Sequence, residues 1–172
     1  MTGSGRLPLL FLDVDGPLIP FGPREGGHPE YPGGPWPPGG GDHPLLGRID
    51  PALGPALVAL PCELVWATTW EDEANALVSP RLGLPELPVV HWPAPSETDE
   101  ADARAGLHWK TRALVALAAG RSFVWVDDEI TGADRRWVAA RHGGRALLHR
   151  VGPAVGLTAG DLRLIGDWLR AV

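Results

Sequence analysis

The chain has 172 residues, of which 44% are hydrophobic, enough for one ordinary domain with its own core. Fifteen Lys and Arg against 21 Asp and Glu give a formal net charge of -6, which argues against a general nucleic-acid-binding protein because the phosphate backbone favours basic surfaces. The single cysteine, Cys62, excludes an internal disulfide and a zinc site built on cysteines. No long apolar run or apolar leader is present, so we expect a cytoplasmic protein without a membrane span.

Short apolar runs alternate with helical patterns along the chain. The apolar runs predict buried strands over residues 7–14, 63–68, 88–91, 122–126 and 145–150. Capping residues and helical spacing predict helices over residues 51–60, 71–82, 109–119, 131–142 and 158–170, with an acidic loop or short helix over 93–105. This alternation predicts an α/β fold, in which a three-layer, Rossmann-like parallel sheet of about five strands carries helices on both faces. We expect residues 1–172 to form a single domain.

Glycine and proline are concentrated between the first two predicted strands. Of the 25 residues from 20 to 44, 16 are Gly or Pro. Such a composition does not support regular secondary structure and predicts a long loop. The segment contains Trp36 between two prolines, so a large apolar group lies on a stiff stem.

Polar residues follow several of the predicted strands. In parallel sheets of this class, binding and active sites lie at the carboxyl ends of the strands. The residues concerned are Asp13, Asp15, Thr68, Thr69, Asp127 and Asp128, together with Lys110, which begins the helix before the fourth predicted strand. Of fifteen basic residues, Lys110 is the only lysine. A compact ammonium in an otherwise arginine-only chain suggests a site that the planar guanidinium does not fit.

The motifs DVDG (13–16), LVWATT (64–69), Lys110 and VWVDDE (124–129) resemble those of the haloacid-dehalogenase-like superfamily of aspartate-nucleophile phosphotransferases. The resemblance extends from Leu7 to Arg150, and one departure is Pro17, where the family often has Thr or Val. It implies a sheet with the first strand in the middle, strands two and three on one side and strands four and five on the other. It also implies a phosphatase or phosphotransferase.

The same resemblance implies the catalytic roles. Asp13 is the expected nucleophile, which forms an aspartyl-phosphate and divides one difficult hydrolysis into two easier steps. Asp15 is the expected general acid and base. Lys110 supplies positive charge near Asp13 and the phosphoryl group. Thr68 holds a phosphoryl oxygen, with Thr69 as the alternative.

The expected cofactor is Mg²⁺. By the resemblance it is held by Asp13, by the backbone carbonyl of Asp15 and by the pair Asp127 and Asp128, and which member of the pair binds directly stays open. Receiver domains of response regulators use similar groups, but their acidic pair ends the first strand and their lysine comes last. The order found here, with Lys110 before the acidic pair, favours the phosphatase.

The insertions after the first and third predicted strands are too short for a cap domain, so we expect a minimal cap or none and an open site. An open site suits a large or nucleotide-like phosphorylated substrate, either a small molecule or a nucleic-acid end. Candidate substrate contacts are Thr69, Trp70, Trp109 and Asn75. Residues 17–48 are interpreted as a loop or a flap in place of a cap, with a linker that does not contact substrate as the alternative.

Two alternative functions stay open. A weaker likeness to haloacid-dehalogenase-like domains of bacterial RNA-repair multidomain proteins implies a phosphatase that processes polynucleotide ends. A binding module that retains the fold without catalysis is the other alternative. The complete set of Asp13, Asp15, Thr68, Lys110 and Asp127 argues against it, because a binding module does not need all five.

Overall fold

A computed structural model of the protein describes residues 6–172 apart from the side chain of Asp42; residues 1–5, which the single-domain prediction includes, lie outside the described residues. The described chain contains a four-stranded parallel sheet in the order β2-β1-β3-β4. The strands are β1 (Leu9–Leu12), β2 (Glu63–Trp66), β3 (Phe123–Asp127) and β4 (Ala146–Arg150). The α/β, Rossmann-like prediction is confirmed, and β1 lies inside the sheet because it pairs with both β2 and β3.

The predicted strand over 88–91 is wrong in extent, so the sheet has four strands rather than about five. Only a parallel bridge between Val89 and Trp66 remains at the outer edge of β2. Two backbone hydrogen bonds hold it: Trp66 N to Pro88 O at 2.9 Å and Val90 N to Trp66 O at 2.8 Å. Pro88 has no N–H group, and prolines at 85 and 93 bound the run, so a longer ladder cannot form.

Six short helices surround the sheet. They are α1 (Leu53–Val58), α2 (Ser79–Leu82), α3 (Glu97–Arg104), α4 (Thr111–Ala118), α5 (Gly132–Arg141) and α6 (Ala159–Arg170). The predicted helix over 71–82 is a π-helical turn, Ala74–Val78, that continues into α2. Thr131 and Thr158 cap α5 and α6 through capping boxes, as their spacing to an aspartate predicts. No helix between residues 6 and 172 has the length and apolarity that a bilayer crossing requires.

The two faces of the sheet bury separate hydrophobic cores. Leu10 and Leu12 of β1 point to the core that α1, α2 and α6 cover. Leu9 and Phe11 point to the opposite core, which α4 and α5 cover. Alternate residues of one strand thus face different layers, as the pleat of a strand requires, and the result is the predicted three-layer arrangement.

The Gly/Pro segment is ordered around the buried side chain of Arg81. Its guanidinium donates to backbone carbonyls of Tyr31, of Gly33 at 2.7 Å, of Pro35 at 3.0 Å and of Leu46 at 3.2 Å. The ring of Trp36 lies 4.1 Å from the guanidinium carbon and packs against the core. Burial lowers the pKa of Arg81, and the four carbonyls compensate the buried charge. A chain of short turns, Gly40–Asp42 and Leu46–Arg48, follows.

The insertions contain little regular structure beyond these turns. Residues 17–62 hold only α1 besides them, and residues 92–110 hold only α3, whose residues are all partly or fully exposed. Trp36 lies on Arg81 and the core, so in this structure it does not cover the carboxyl edge of the sheet. A flap movement of residues 17–48 stays a prediction.

Candidate active site

The loops that follow β1 and β3 approach each other closely at the carboxyl edge of the sheet. Asp13 directly follows β1, and the chain turns at Gly16, whose φ of 92° is unfavourable for residues with a Cβ. A Cβ built on Gly16 would lie 2.7 Å from Cγ of Asp128, which follows β3. A glycine at this position therefore allows the first and fourth motifs to form one site.

Lys110 links the ends of β1 and β3 by ion pairs. Its ammonium is buried, with Nζ 3.2 Å from Oδ2 of Asp13 and 2.8 Å from Oδ2 of Asp127. Asp127 is further held by Trp125 Nε1, which donates to Oδ2 at 3.2 Å, and by Glu129 N, which donates to Oδ1 at 3.0 Å. The fully buried Asp127 thus fixes the position of the lysine against Asp13.

Three buried carboxylates gather around this lysine. One oxygen from each of Asp13, Asp127 and Asp128 lies within 4.8 Å of the others. Burial raises the pKa of Asp13 to about 7; Lys110 opposes this rise and Asp127 adds to it. Burial and the neighbouring Asp127 also raise the pKa of Asp128. The cluster has more negative charge than Lys110 can neutralise, so a cation would be stabilised there.

The two members of the acidic pair differ in their surroundings. Asp128 lines an open cleft, whereas Asp127 is fully buried behind it and engaged by Lys110. Of the two, Asp128 is therefore the carboxylate that could contact an ion in the cleft. His108, Asp127 and Glu129 form a second group of closely spaced ligand atoms, but His108 Nε2 and Glu129 Oε2 already pair at 3.2 Å.

A buried aspartate of α5 positions the start of α4, and sequence reasoning missed this role. Oδ1 of Asp134 accepts from His108 N at 2.7 Å and from the Thr111 hydroxyl at 2.6 Å. Its Oδ2 accepts from Thr131 N at 2.7 Å within the capping box. Since Lys110 lies between His108 and Thr111, this carboxylate fixes the backbone that carries the lysine. The capping box was the only local signal for Asp134.

Trp70 holds the side chain of Asp15. Its indole Nε1 donates to Oδ2 of Asp15 at 3.0 Å, and the ring of His43 lies 5.5 Å from the Trp70 ring. Asp15 is half-buried and lines the cleft. The structure therefore places Trp70, a predicted substrate contact, behind the predicted acid and base, with its polar edge occupied.

The two threonines after β2 have different environments. Thr68 is fully buried, and its hydroxyl oxygen accepts from Trp70 N at 3.2 Å while its carbonyl accepts from Trp92 Nε1 at 3.0 Å. Thr69 is exposed and lines the cleft. Of the two residues predicted as phosphoryl ligands, the structure brings Thr69 to the open side.

The cleft itself has a volume of about 210 Å³. Its described lining residues are Asp13, Asp15, Phe21, Thr69, Trp109, Lys110, Asp128 and Glu129. Phe21, from the beginning of the Gly/Pro segment, was not a candidate from the sequence, because no local pattern distinguishes it. Four predicted catalytic or metal residues and two predicted substrate residues thus meet in one place.

Asn75 is not among those lining residues. Its amide oxygen accepts from Trp66 Nε1 at 3.1 Å, from the Ser79 hydroxyl at 3.0 Å and from Leu87 N at 2.9 Å. Its amide nitrogen donates to Leu87 O at 2.7 Å. The side chain joins β2 to the segment after α2, and we assign it a structural role.

Comparison of the chain with protein-family models, with curated proteins and with solved structures gives no match. The resemblance to the haloacid-dehalogenase-like superfamily accordingly rests on the sequence motifs. A functional assignment therefore depends on the geometry of the cleft. Its main groups are the carboxylate of Asp13, the buried ammonium of Lys110 beside it, and the carboxylate of Asp15, which accepts a hydrogen bond from Trp70.

Proposed function

We propose that the chain is a phosphatase or phosphotransferase of haloacid-dehalogenase-like type that forms an aspartyl-phosphate on Asp13. One observation carries the proposal: the buried Lys110 Nζ lies 3.2 Å from Oδ2 of Asp13 at the bottom of an open cleft. A fixed ammonium beside Asp13 opposes the rise in the pKa of that carboxyl and so favours its charged form, and it attracts an incoming phosphoryl group. Both are needed when an anion attacks an anion.

In the first step, an oxygen of Asp13 attacks phosphorus and the bond from phosphorus to the leaving oxygen breaks. Asp15 gives its proton to that oxygen. In the second step, Asp15 takes a proton from water, the water oxygen attacks phosphorus, and the bond between Asp13 and phosphorus breaks. The position of Asp15 on the same cleft, held by Trp70, supports this division of roles.

The donor set fits a divalent cation that prefers oxygen ligands. The carboxylates of Asp13, Asp127 and Asp128 lie close enough to share an ion. Burial first, and the neighbouring Asp127 second among the raising causes, raise the pKa values of Asp13 and Asp128. When bound, Mg²⁺ supplies positive charge for the phosphoryl oxygens. The chain's own contribution is to hold these carboxylates and Lys110 in a fixed arrangement.

The proposed substrate is a phosphorylated small molecule or a nucleic-acid end, and the proposed location of the protein is the cytoplasm. The open cleft and the short insertions support a substrate that is not enclosed by a cap. The absence of a cysteine pair in the sequence is compatible with a reducing compartment.

Hydrolysis of 4-nitrophenyl phosphate with and without Mg²⁺ tests the proposal. We expect activity to require Mg²⁺ and to disappear in Asp13→Asn, because the amide retains the shape of the carboxylate but is not a nucleophile. Asp167→Asn is the matched control, since Asp167 is exposed on α6 and lies outside the cleft. Trapping of a hydroxylamine-sensitive phosphoenzyme in the unmodified protein identifies the intermediate. Half the normal rate in Asp13→Asn would exclude the aspartyl-phosphate route.

A further inference from the structure

Two exposed aromatic rings flank the proposed catalytic groups. Among the described residues, eight large apolar side chains are exposed, and only two of them are aromatic: Phe21, 42% exposed, and Trp109, 47% exposed. Both line the cleft that contains Asp13 and Asp15. They come from separate parts of the chain, the beginning of the Gly/Pro segment and the turn before α4. Their coincidence at one small cleft points to a ligand that covers them.

Ring contacts hold Trp109 in position before any ligand binds, and a backbone hydrogen bond holds the main chain of Phe21. The backbone N–H of Phe21 donates to Pro153 O at 2.9 Å. Trp109 packs edge-on against Trp92, with ring centroids 4.7 Å apart, and stacks on His108 at 5.6 Å. Because these contacts fix the Trp109 ring and the backbone that carries Phe21, a ligand that stacks there loses less free energy in ordering the site.

Trp70 also lies beside the proposed catalytic groups, and it is not free for this purpose. Its N–H group donates to Asp15, and its ring packs on His43. Phe21 and Trp109 therefore remain as the rings available to substrate, one from each of two loops that border the site.

Charge and volume restrict what these rings can hold. The described lining contains four acids, Asp13, Asp15, Asp128 and Glu129, and its one cation, Lys110, is paired with two carboxylates. A second phosphate near the reacting one would meet mainly negative charge. The volume of about 210 Å³ is below the range of roughly 300–1,000 Å³ that is typical of drug-sized sites, so it suits a phosphoryl group and one ring.

We propose that the substrate is a phosphate monoester whose leaving group carries one flat, uncharged aromatic ring close to the ester oxygen, held between Phe21 and Trp109. This rests on the proposed function and narrows its substrate. The bond between phosphorus and the ester oxygen breaks, the bond from phosphorus to Asp13 forms, and the proton of Asp15 goes to the departing aromatic alcohol. A polynucleotide end is disfavoured, because a second phosphate beside the reacting one would meet the four acids that line the cleft.

Benzyl phosphate and cyclohexylmethyl phosphate separate aromatic stacking from other effects. Both release a primary alcohol of similar size, and only the first carries a flat ring. We expect kcat/KM to be about 10-fold higher for benzyl phosphate, on the scale of aromatic pairs and base stacking. In Phe21→Leu or Trp109→Leu the ratio should fall to about 3, and in the double variant to about 1.

Leu164→Ala is the control, because Leu164 is exposed on α6 outside the cleft, and it should retain the ratio of the unmodified protein. If a lowered thermal midpoint shows that a leucine variant is misfolded, Phe21→Ile replaces Phe21→Leu and Trp109→Met replaces Trp109→Leu. A ratio near 1 in the unmodified protein, or an unchanged ratio in the double variant, overturns the proposal. So does a higher kcat/KM for a 5′- or 3′-phosphorylated oligonucleotide than for benzyl phosphate. If the unmodified protein hydrolyses neither ester faster than Asp13→Asn does, the proposed function is wrong as well.

Discussion

The indole Nε1 of Trp70 donates a hydrogen bond of 3.0 Å to Oδ2 of Asp15, although the two residues are 55 positions apart in the sequence. The bond fixes one oxygen of the proposed acid and base and leaves the other for the proton that is transferred. Because His43 of the Gly/Pro segment packs against the same indole, the segment supports Asp15 through Trp70. Through His43 the segment therefore supports Asp15 from behind, in addition to placing Phe21 in the cleft.

Trp70→Phe removes this hydrogen bond and retains an aromatic ring. We expect kcat to fall about 5- to 10-fold with little change in KM, on the scale of a hydrogen bond to a charged group. Trp168→Phe on α6 is the matched control, since Trp168 is half-buried and not in the cleft. Steady-state kinetics with benzyl phosphate measure the effect. A kcat equal to that of the control would show that Asp15 does not depend on the indole.

Lys110→Arg retains the charge but replaces a compact ammonium by a planar guanidinium. The site is 3% exposed, and Nζ fits between Oδ2 atoms of Asp13 and Asp127 at 3.2 and 2.8 Å, which leaves no room for the larger group. We expect kcat to fall about 100-fold or more, on the scale of losing one preorganised donor. Arg163→Lys on the exposed face of α6 is the reverse exchange and should be neutral. A rate within about 3-fold of normal in Lys110→Arg contradicts the role assigned to the lysine.

Local sequence signals were sufficient for the four strands of the sheet, for the caps of α5 and α6 and for the positions of the polar residues at the strand ends. Each of these depends on residues a few positions apart: an apolar run, a Thr followed by Asp, or a glycine after two acids. The prediction of a strand over 88–91 was wrong because it also rested on a local apolar run. The prolines around that run limit its pairing with β2 to a single bridge.

The supporting contacts of the site could not be predicted in this way. Arg81 reaches carbonyls 35 to 50 positions away, and Asp134 reaches the N–H of His108 across 26 positions. Neither residue has a sequence pattern that reveals its partner. Phe21 likewise gains its importance from the fold, which brings the first loop beside Trp109.

The raised pKa of Asp13, about 7, predicts a pH-dependent stability of the metal-free protein. In the unfolded chain this carboxyl has a pKa near 3.9, so between about pH 4 and pH 7 the folded state binds the additional proton. Stability from this group is fully present below about pH 4 and is lost as the pH rises towards 7, by at most about 1.4 kcal/mol per pH unit.

Thermal unfolding in EDTA between about pH 4.5 and pH 8 measures this effect. Asp13→Asn should remove part of the decline with rising pH, whereas the exposed Asp167→Asn should retain it. Added Mg²⁺ should raise the thermal midpoint more at pH 8 than at pH 5, because binding requires the charged carboxylates. The same pH dependence in Asp13→Asn and in the unmodified protein contradicts the assignment of the raised pKa to Asp13.

Gly16→Ala tests whether the close approach of the loops after β1 and β3 is needed. The substitution adds backbone strain at a φ of 92° and places a Cβ 2.7 Å from Cγ of Asp128. Gly22→Ala is the matched control, since its φ of 83° imposes similar strain while nothing lies within 4 Å of the added Cβ.

We expect Gly22→Ala to lower the free energy of unfolding by about 1 kcal/mol and Gly16→Ala by about 2–4 kcal/mol. Because the clash displaces Asp128, Gly16→Ala should also weaken the stabilisation by Mg²⁺ in thermal unfolding, and Gly22→Ala should not. Equal costs in urea unfolding and equal responses to Mg²⁺ would show that the loop relaxes without moving Asp128, and that the acidic pair does not require a glycine opposite it.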